Sequence, residues 1–245
     1  MVTVDATQHA RSFGAAADSY ARARPGYPRD AVDFLVGDAA RVLDLGAGTG
    51  KFSQALVAAG HEVVAVEPST RMLAQLREVL PEVEAHEGSA EATGLPSASV
   101  DAVVVAQAWH WVDAARAVPE VARVLRPGGS LGLVWNVRDD TVDWVRQVWD
   151  LAQRGQEQEM RTDTTEVGPP FGAAHRFETR FEHVTDRAGI LDLVASRSYV
   201  IVLPEDERRD LLAAVADVLD EHPDLRGRDE VRVPYLTHCT RFTLR

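Results

Sequence analysis

Cysteine is almost missing from this 245-residue chain. With Cys239 alone, neither an intramolecular disulfide framework nor a cysteine-rich zinc site can form. Lysine is as scarce: Lys51 is the single one, so 25 of the 26 cationic side chains are arginine. Those arginines are scattered along the chain, as biased genomic base composition produces, and form no stripe interleaved with aromatics. A formal net charge of -12 repels phosphate backbones, so nucleic acid is not an expected partner. Long apolar runs are also lacking. Stretches such as Ala102 to Ala106 fall far short of the roughly 20 residues a membrane helix needs. The opening MVTVDATQHARSF has no basic-then-apolar signal pattern, and a cytoplasmic protein without membrane contact is expected. The eight histidines show no His-Glu-x-x-His spacing, so no metal is expected.

What is present is ample apolar material, 45% of residues beside 26% charged, enough to bury a core without staples. From Arg41 to about Val137, short apolar runs (RVLDL, EVVAVEP, VEAHEG, VDAVVVAQA, SLGLVWN) alternate with helical patterns, the mark of βαβ units on a parallel sheet. Phe52, Ala55, Leu56 and Ala59 recur at helical spacing before Gly60. Ser69 can cap a helix whose Met72, Leu73, Leu76 and Leu80 share a face. A further helix spans about Asp113 to Leu125, with a kink or a break expected at Pro119 and a terminating turn at Arg126-Pro127-Gly128-Gly129. Before this core, an apolar helix is expected near Ala31 to Val36. After it come a helix at Val142 to Gln153, a strand near Phe177 to Val184, a helix at Pro204 to Glu221 and one or two closing strands. The chain reads as one domain over 1–245: an N-terminal extension or lid (1–40), a ligand-binding core (41–137), and a segment that completes the sheet and the substrate side (138–245).

The strongest local signal is Val42-Leu43-Asp44-Leu45-Gly46-Ala47-Gly48-Thr49-Gly50, a strand running into a glycine turn and then a helix. Glycines permit positive φ and let a ligand lie against the main chain, and the helix start offers unpaired N–H groups. Three folds use this device. A phosphate-binding P-loop needs a glycine where Leu45 stands and a hydroxyl where Phe52 stands, and a dinucleotide fingerprint needs a third glycine where Lys51 stands. Neither phosphate reading fits, and Lys51 is expected to be a solvated helix residue. What remains is Asp44-x-Gly46-x-Gly48-x-Gly50, with Glu67 at the end of the next strand, where a carboxylate can accept both hydroxyls of a ribose.

In these residues the chain resembles the class I S-adenosylmethionine (SAM)-dependent methyltransferases, over most of 40–137 and in the right order. The resemblance implies a three-layer, Rossmann-like α/β fold with a mostly parallel seven-strand sheet and an antiparallel last strand. It implies SAM as cofactor, with Asp44, Gly46, Ala47, Gly48, Thr49 and Gly50 against its methionine part, Glu67 at the ribose, and Pro68 and Met72 beside the adenine. Ser89, Ala90 and Glu91 in GSAEATGLP resemble the adenine-edge segment, and Gln107 and Ala108 the wall beside the sulfonium. RVLRPGG followed by SLGLVWN matches the family's helix, turn and fifth strand.

The run AQAWHWVD, with the early Tyr20, Arg24-Pro25-Gly26-Tyr27-Pro28 and the late SRSY and VPYLT, is similar to the trans-aconitate methyltransferase-like small-molecule subgroup. That likeness gives reaction class better than acceptor identity. Methyl transfer from a sulfonium is an in-line displacement, so much of the rate comes from positioning and exclusion of water. His110 is the candidate base, or else it only shapes the pocket; Trp109 and Trp111 can wall an acceptor, with one of the two expected to be core. Arg138 and Arg197, with Tyr20, Arg24 and Tyr27, are candidates for holding an acceptor carboxylate. The set Asn136, Asp139 and Asp140 is too small for a magnesium site. DNA amino-methylating enzymes carry Asp/Asn-Pro-Pro-Tyr/Phe where this chain has Gln107-Ala108-Trp109-His110, and Cys239 is expected to be a small buried side chain, not a nucleophile. Two other readings stay open: a SAM-binding sensor or partner subunit without turnover, and a nucleotide-dependent oxidoreductase. Acceptor, oligomeric state and pathway are not legible.

Overall fold

A computed structural model describes residues 24–153 and 167–245 of the chain. Seven strands form one sheet in the order β3-β2-β1-β4-β5-β7-β6: β1 (Arg41–Leu45), β2 (Glu62–Glu67), β3 (Glu84–Glu87), β4 (Val100–Ala106), β5 (Leu125–Arg138), β6 (His175–Thr185) and β7 (Val231–Thr243). Neighbours among β1 to β5 pair in parallel. The last strand, β7, is antiparallel and inserts between β5 and β6. This is the three-layer α/β fold that the alternating pattern implies.

Burial explains why each run becomes the strand it does. In β1, β2 and β4, at least four consecutive residues are buried, as in strands covered on both faces, and their Val- and Leu-rich runs supply side chains for both. Edge strand β6, HRFETRFEHVT, alternates between exposed and half-buried positions, so only one face has an apolar row to cover. At the N-terminal ends of β1 to β3, Arg41 bridges Glu62 (2.5 Å) and Glu84 (2.6 Å).

The connecting helices are α1 (Arg29–Val36), α2 (Lys51–Ala59), α3 (Thr70–Val79) and α4 (Ala114–Val124). They are followed by α5 (Asp143–Ala152), α6 (Arg187–Ala195), α7 (Ser198–Ile201) and α8 (Glu205–Glu221). Gly60 closes α2 at φ +95°, and the Ser69 hydroxyl caps α3 by accepting the Met72 N–H at 3.4 Å. Asp113 caps α4, accepting the Ala115 N–H at 3.1 Å. Helix α4 runs unbroken through Pro119, where the sequence alone points to a kink or two pieces. One amide is lost, but Ala117, Val118, Val121 and Val124 bury a continuous face on both sides of the proline, and such packing outweighs local propensity. Helices α6 and α7 carry no cap-and-stripe signal strong enough to read in advance.

Helix α4 ends at Val124, as the Arg126-Pro127-Gly128-Gly129 turn implies, and the same four residues form an irregularity at the start of β5 that the sequence does not announce. Val100 pairs with Leu125 and Ala102 with Ser130, so the four residues are looped out of β5 while the strand continues on both sides. Gly128 takes φ +78° there, and a Cβ on Gly129 would lie 2.8 Å from the Asp101 carbonyl and 2.9 Å from that of Arg126.

Contacts divide the chain into two compact units, each with its own core. The larger contains residues 26–136, 167–180 and 237–245, and its core joins Leu35, Phe52, Leu56, Leu76 and Val104. Cys239 is buried in it, with burial pushing the thiol up to about 12, as befits an inert packing residue. The smaller contains residues 24–25, 137–153 and 181–236, and is built on Trp144, Val148, Trp149, Ile190, Leu193 and Tyr235.

Gly129→Ala places a methyl against two backbone carbonyls that cannot move independently of the sheet. It is expected to destabilise the protein by about 1–3 kcal/mol, read as a lowered midpoint in urea unfolding, whereas Gly168→Ala, with open space around it and no left-handed φ, should cost less.

Candidate active site

Strand order reverses direction between β1 and β4, and the crevice beyond their C-terminal ends is where ligands bind in open parallel sheets. Three chain segments end there: the glycine turn after β1, the Glu67-Pro68-Ser69 corner after β2, and Gln107-Ala108 after β4. All lie within the larger unit.

The glycine turn leaves β1 by a left-handed path. Gly46, Gly48 and Gly50 have φ of +72°, +57° and +85°, conformations that are strained for any residue with a Cβ. The turn is tied down by main-chain bonds from Gly46 N–H (2.8 Å) and Ala47 N–H (3.2 Å) to the Val66 carbonyl. A Cβ on Gly46 would come within 3.2 Å of the Ala108 Cβ, so the turn and the end of β4 touch. Met72 packs above Gly48, its Sδ 4.0 Å from where a Cβ would stand.

Glu67 is buried, and each of its carboxylate oxygens already accepts one main-chain bond. Gly48 N–H donates to Oε2 at 2.8 Å and Ser69 N–H to Oε1 at 2.9 Å. Each oxygen retains a lone pair for a further donor. Burial raises the Glu67 pKa against the lowering effect of those two bonds. Asp44, fully buried, accepts the Ser53 hydroxyl on Oδ2 at 2.6 Å, while its Oδ1 has no partner. The Thr49 hydroxyl is likewise buried without a partner. Unsatisfied buried oxygens cost about 1–3 kcal/mol each, and these two lie at the end of β1 and in the turn that follows it. Burial pushes Asp44 up to about 7, with the Ser53 bonds opposing and the Glu67 charge adding to the rise.

Beyond β3, Ser89 and Ala92 close a tight turn through reciprocal main-chain bonds, and Glu91 accepts the Asp113 N–H at 3.0 Å. Thr93 anchors this segment, its N–H and hydroxyl both reaching Glu120 (2.8 and 2.6 Å), which Arg123 holds at 2.7 Å. The Arg123 guanidinium drives the Glu120 carboxyl down to about 2. Gln107 adopts φ +59°, a rare conformation for a non-glycine residue. It is fixed by its N–H on the Val134 carbonyl (2.9 Å) and its amide on the Asn136 carbonyl (3.3 Å). Asn136 is a hub that composition alone could not reveal. It donates to the Gly26 carbonyl at 2.9 Å and accepts the Thr237 hydroxyl at 2.7 Å, so its side chain is committed to the scaffold.

The short 3-10 turn Trp109–Trp111 separates the two tryptophans. Trp109 is buried, while Trp111 is 48% exposed. His110 lies tilted against Trp111, ring centroids 4.6 Å apart and planes at 47°, and the desolvation of its ring lowers its pKa although the residue is exposed as a whole. Tyr27 packs edge-on against Phe52 at 4.9 Å. Pro68 is exposed and Met72 buried. Lys51, expected to be solvated, is half-buried at the start of α2, and burial lowers its pKa. In the smaller unit, Arg138, Arg197 and Arg24 gather with Tyr199 and Tyr235. Asp139 is taken up by a local turn, accepting the Thr141 hydroxyl at 2.5 Å. Tyr20 lies outside the described residues. Ser53 was not singled out in the sequence; its position three residues after Gly50, one helical turn into α2, is the signal that would have found it.

Residues 43–133 match a family model described as a methyltransferase domain. An uncharacterized methyltransferase of Mycobacterium tuberculosis is 48% identical over 234 residues, 95% of this chain and 96% of that protein. A trans-aconitate 2-methyltransferase of an Azoarcus species is 31% identical over 200 residues, covering 75% and 79% respectively. A structure assigned as a type II methyltransferase from Anaeromyxobacter dehalogenans superposes with a TM-score of 0.67 at 30% identity, over 91% of this chain and 97% of that one. The chain belongs to the class I SAM-dependent methyltransferases. Its family thus defines an enzyme of the transferase class.

Asp44 generates a test in the ligand-free protein. Its folded pKa lies above the ordinary value, so between about pH 4 and about pH 7 the folded chain keeps a proton that the unfolded chain has lost. Stability is therefore expected to fall as pH rises through that window and to level off above it. Asp44→Asn should flatten this part of the profile of unfolding free energy against pH.

Proposed function

We propose that this enzyme transfers the methyl group of SAM to a small-molecule acceptor by in-line displacement. The observation that carries the reading is the pair of complementary carboxylates at the crevice, Asp44 with an unpartnered buried oxygen and Glu67 with a spare lone pair on each oxygen. Their chemistry fits the cofactor. An α-ammonium is a strong donor for the orphan Asp44 Oδ1, and a vicinal diol supplies two donors to Glu67. The left-handed glycine turn lets the methionine part lie on bare main chain. Met72 and Pro68 flank the adenine, Ser89, Ala90 and Glu91 border its edge, and Gln107 and Ala108 wall the sulfonium side.

When bound, SAM supplies an electrophilic methyl carbon, which the acceptor takes as the C–S bonding pair returns to sulfur. The chain's own residues orient the reactants and exclude water, and well-oriented reactants gain much of the barrier from lost bimolecularity. Gln107, locked in its left-handed conformation by two hydrogen bonds, is the rigid part of that wall. Where the acceptor must lose a proton, His110 is the base: with its pKa lowered, its imidazole is neutral near neutral pH and free to accept one. The exposed Trp111 offers an apolar wall to the acceptor, while the buried Trp109 is core. The trans-aconitate 2-methyltransferase among the relatives supports a small metabolite as acceptor. The acidic net charge and the paucity of basic stripes disfavour nucleic acid, and among the described residues no helix is long and apolar enough to cross a membrane.

Isothermal titration with SAM and S-adenosylhomocysteine, with NADH as control, tests the cofactor roles. Both adenosyl ligands should bind and NADH should not. Glu67→Ala is expected to weaken SAM binding by about 1.5–3 kcal/mol; an unchanged affinity in a folded variant would remove the ribose assignment. For His110→Ala, SAM binding should persist while turnover of an identified acceptor falls, and loss of cofactor binding instead would make His110 structural. Because an ammonium partner holds Asp44 ionised, SAM affinity is expected to rise with pH up to about 7 and to do so with proton release.

A further inference from the structure

The sheet ends in two edge strands of different character. Strand β3 is four residues long, and shortness is one of the usual ways in which an edge avoids pairing with another chain. Strand β6 has 11 residues, HRFETRFEHVT, with neither proline nor glycine to interrupt its ladder. Its neighbour in the sheet is β7, and among the described residues no strand pairs with its other edge. The half-buried row of β6 is anchored. Phe177 stacks on Phe34 with ring centroids 5.1 Å apart, the Thr179 hydroxyl donates to Asp30 Oδ2 at 2.5 Å, and Phe181 stacks on Tyr235 at 5.4 Å. The opposite row, Arg176, Glu178, Arg180, Glu182 and Val184, is exposed. Glu178 meets His238 at 3.1 Å and Glu182 meets Arg232 at 3.3 Å, yet the two carboxylates remain 51% and 56% exposed and open to a further partner.

The exposed row alternates in sign, and its order is self-complementary. In an antiparallel pair, residues directly opposite each other share a face with their Cβ atoms about 4.5–5.5 Å apart. With a two-fold axis at Thr179, Arg176 faces the partner's Glu182 and Glu178 faces the partner's Arg180, so every charge of the row meets its opposite. On the other face, Phe177 stands level with the partner's Phe181. Moving the axis to Glu178 or to Arg180 sets carboxylate against carboxylate and guanidinium against guanidinium, which fixes the register. The row also carries no net charge, in a chain whose -12 makes its copies repel one another. An edge charged only to prevent pairing is served by like charges. Alternation that closes on itself about one residue is what an isologous two-fold contact requires.

We propose that β6 is the interface of a homodimer, in which two copies of this chain pair their β6 strands antiparallel about Thr179 and join their sheets into one. The inference is independent of the methyl-transfer reading. Sedimentation velocity of the full-length protein over a concentration series should show a monomer–dimer equilibrium with a Kd below about 0.1 mM. Amide hydrogen exchange over 175–185 should slow as the dimer fills. Glu178→Arg and Arg180→Glu each set like charges opposite one another twice per dimer, and each should weaken association about tenfold or more at low ionic strength. Mixed in equal amounts, the two variants should associate again, because the charges across the axis are once more opposite. The double variant Glu178→Arg/Arg180→Glu should likewise recover the wild-type dimer. Recovery on mixing cannot come from misfolded chains, and circular dichroism checks each variant by itself. A wild type that stays monomeric throughout the series overturns the proposal and leaves the edge to solvent or to a different chain. A dimer that survives both single exchanges overturns it too, since it would use another surface, as would single variants that dissociate and are not rescued by each other.

Discussion

The hydrogen bonds made by Glu67 hold the candidate active site together. One carboxylate oxygen takes the Gly48 N–H and the other the Ser69 N–H, so a single buried side chain fixes the glycine turn after β1 to the corner that starts α3. Both partners are main-chain donors that would otherwise be unsatisfied at that depth, and a carboxylate is a side chain able to accept both and keep capacity for more. The arrangement depends on β1 and β2 pairing in parallel and in register, Leu45 opposite Val66, which brings the two strand ends level. Without the sheet, Glu67 would be an ordinary exposed acid.

The same carboxylate creates the electrostatic state of the crevice. Glu67 and Asp44 are both buried and repel each other, and among the described residues neither has a cationic partner of the kind that holds Glu120 down to about 2. Asp44 is thus left near the middle of the physiological range, with one oxygen on Ser53 and the other unpartnered. The scaffold around it is tied down: Asn136 donates one hydrogen bond and accepts another, and Thr93, Glu120 and Arg123 close a network of their own. Against that background, Asp44 Oδ1 and the Thr49 hydroxyl stand out as buried oxygens without a hydrogen-bond partner.

Much of this was legible in the residues. Runs buried on both faces spell out parallel strands, Gly60 and Ser69 mark helix ends, and Asp44, the three glycines and Glu67 carry the family's spacing. What was misjudged shares one cause. Pro119 looked like a break because propensity is local, whereas the buried face that keeps α4 whole comes from packing. Arg126 to Gly129 does mark the end of α4, but that β5 already begins at Leu125 was hidden, because Pro and Gly punctuate a chain in the same way whether they end an element or form a bulge within one. Lys51 reads as a solvated cation in a linear sequence, yet the fold half-buries it.

The sequence by itself determined the layer architecture and the succession of the first five strands, since hydrophobic period and glycine placement are properties of neighbours in the chain. Only the tertiary structure decided which groups are left unsatisfied. Asn136 between Gly26 and Thr237, and Thr93 against Glu120, are contacts between distant positions, and what packs over each side chain leaves Trp109 buried beside an exposed Trp111. Burial and proximity fix the free energy of a charge or a hydrogen-bond donor, and both are properties of the packed chain that no local pattern encodes.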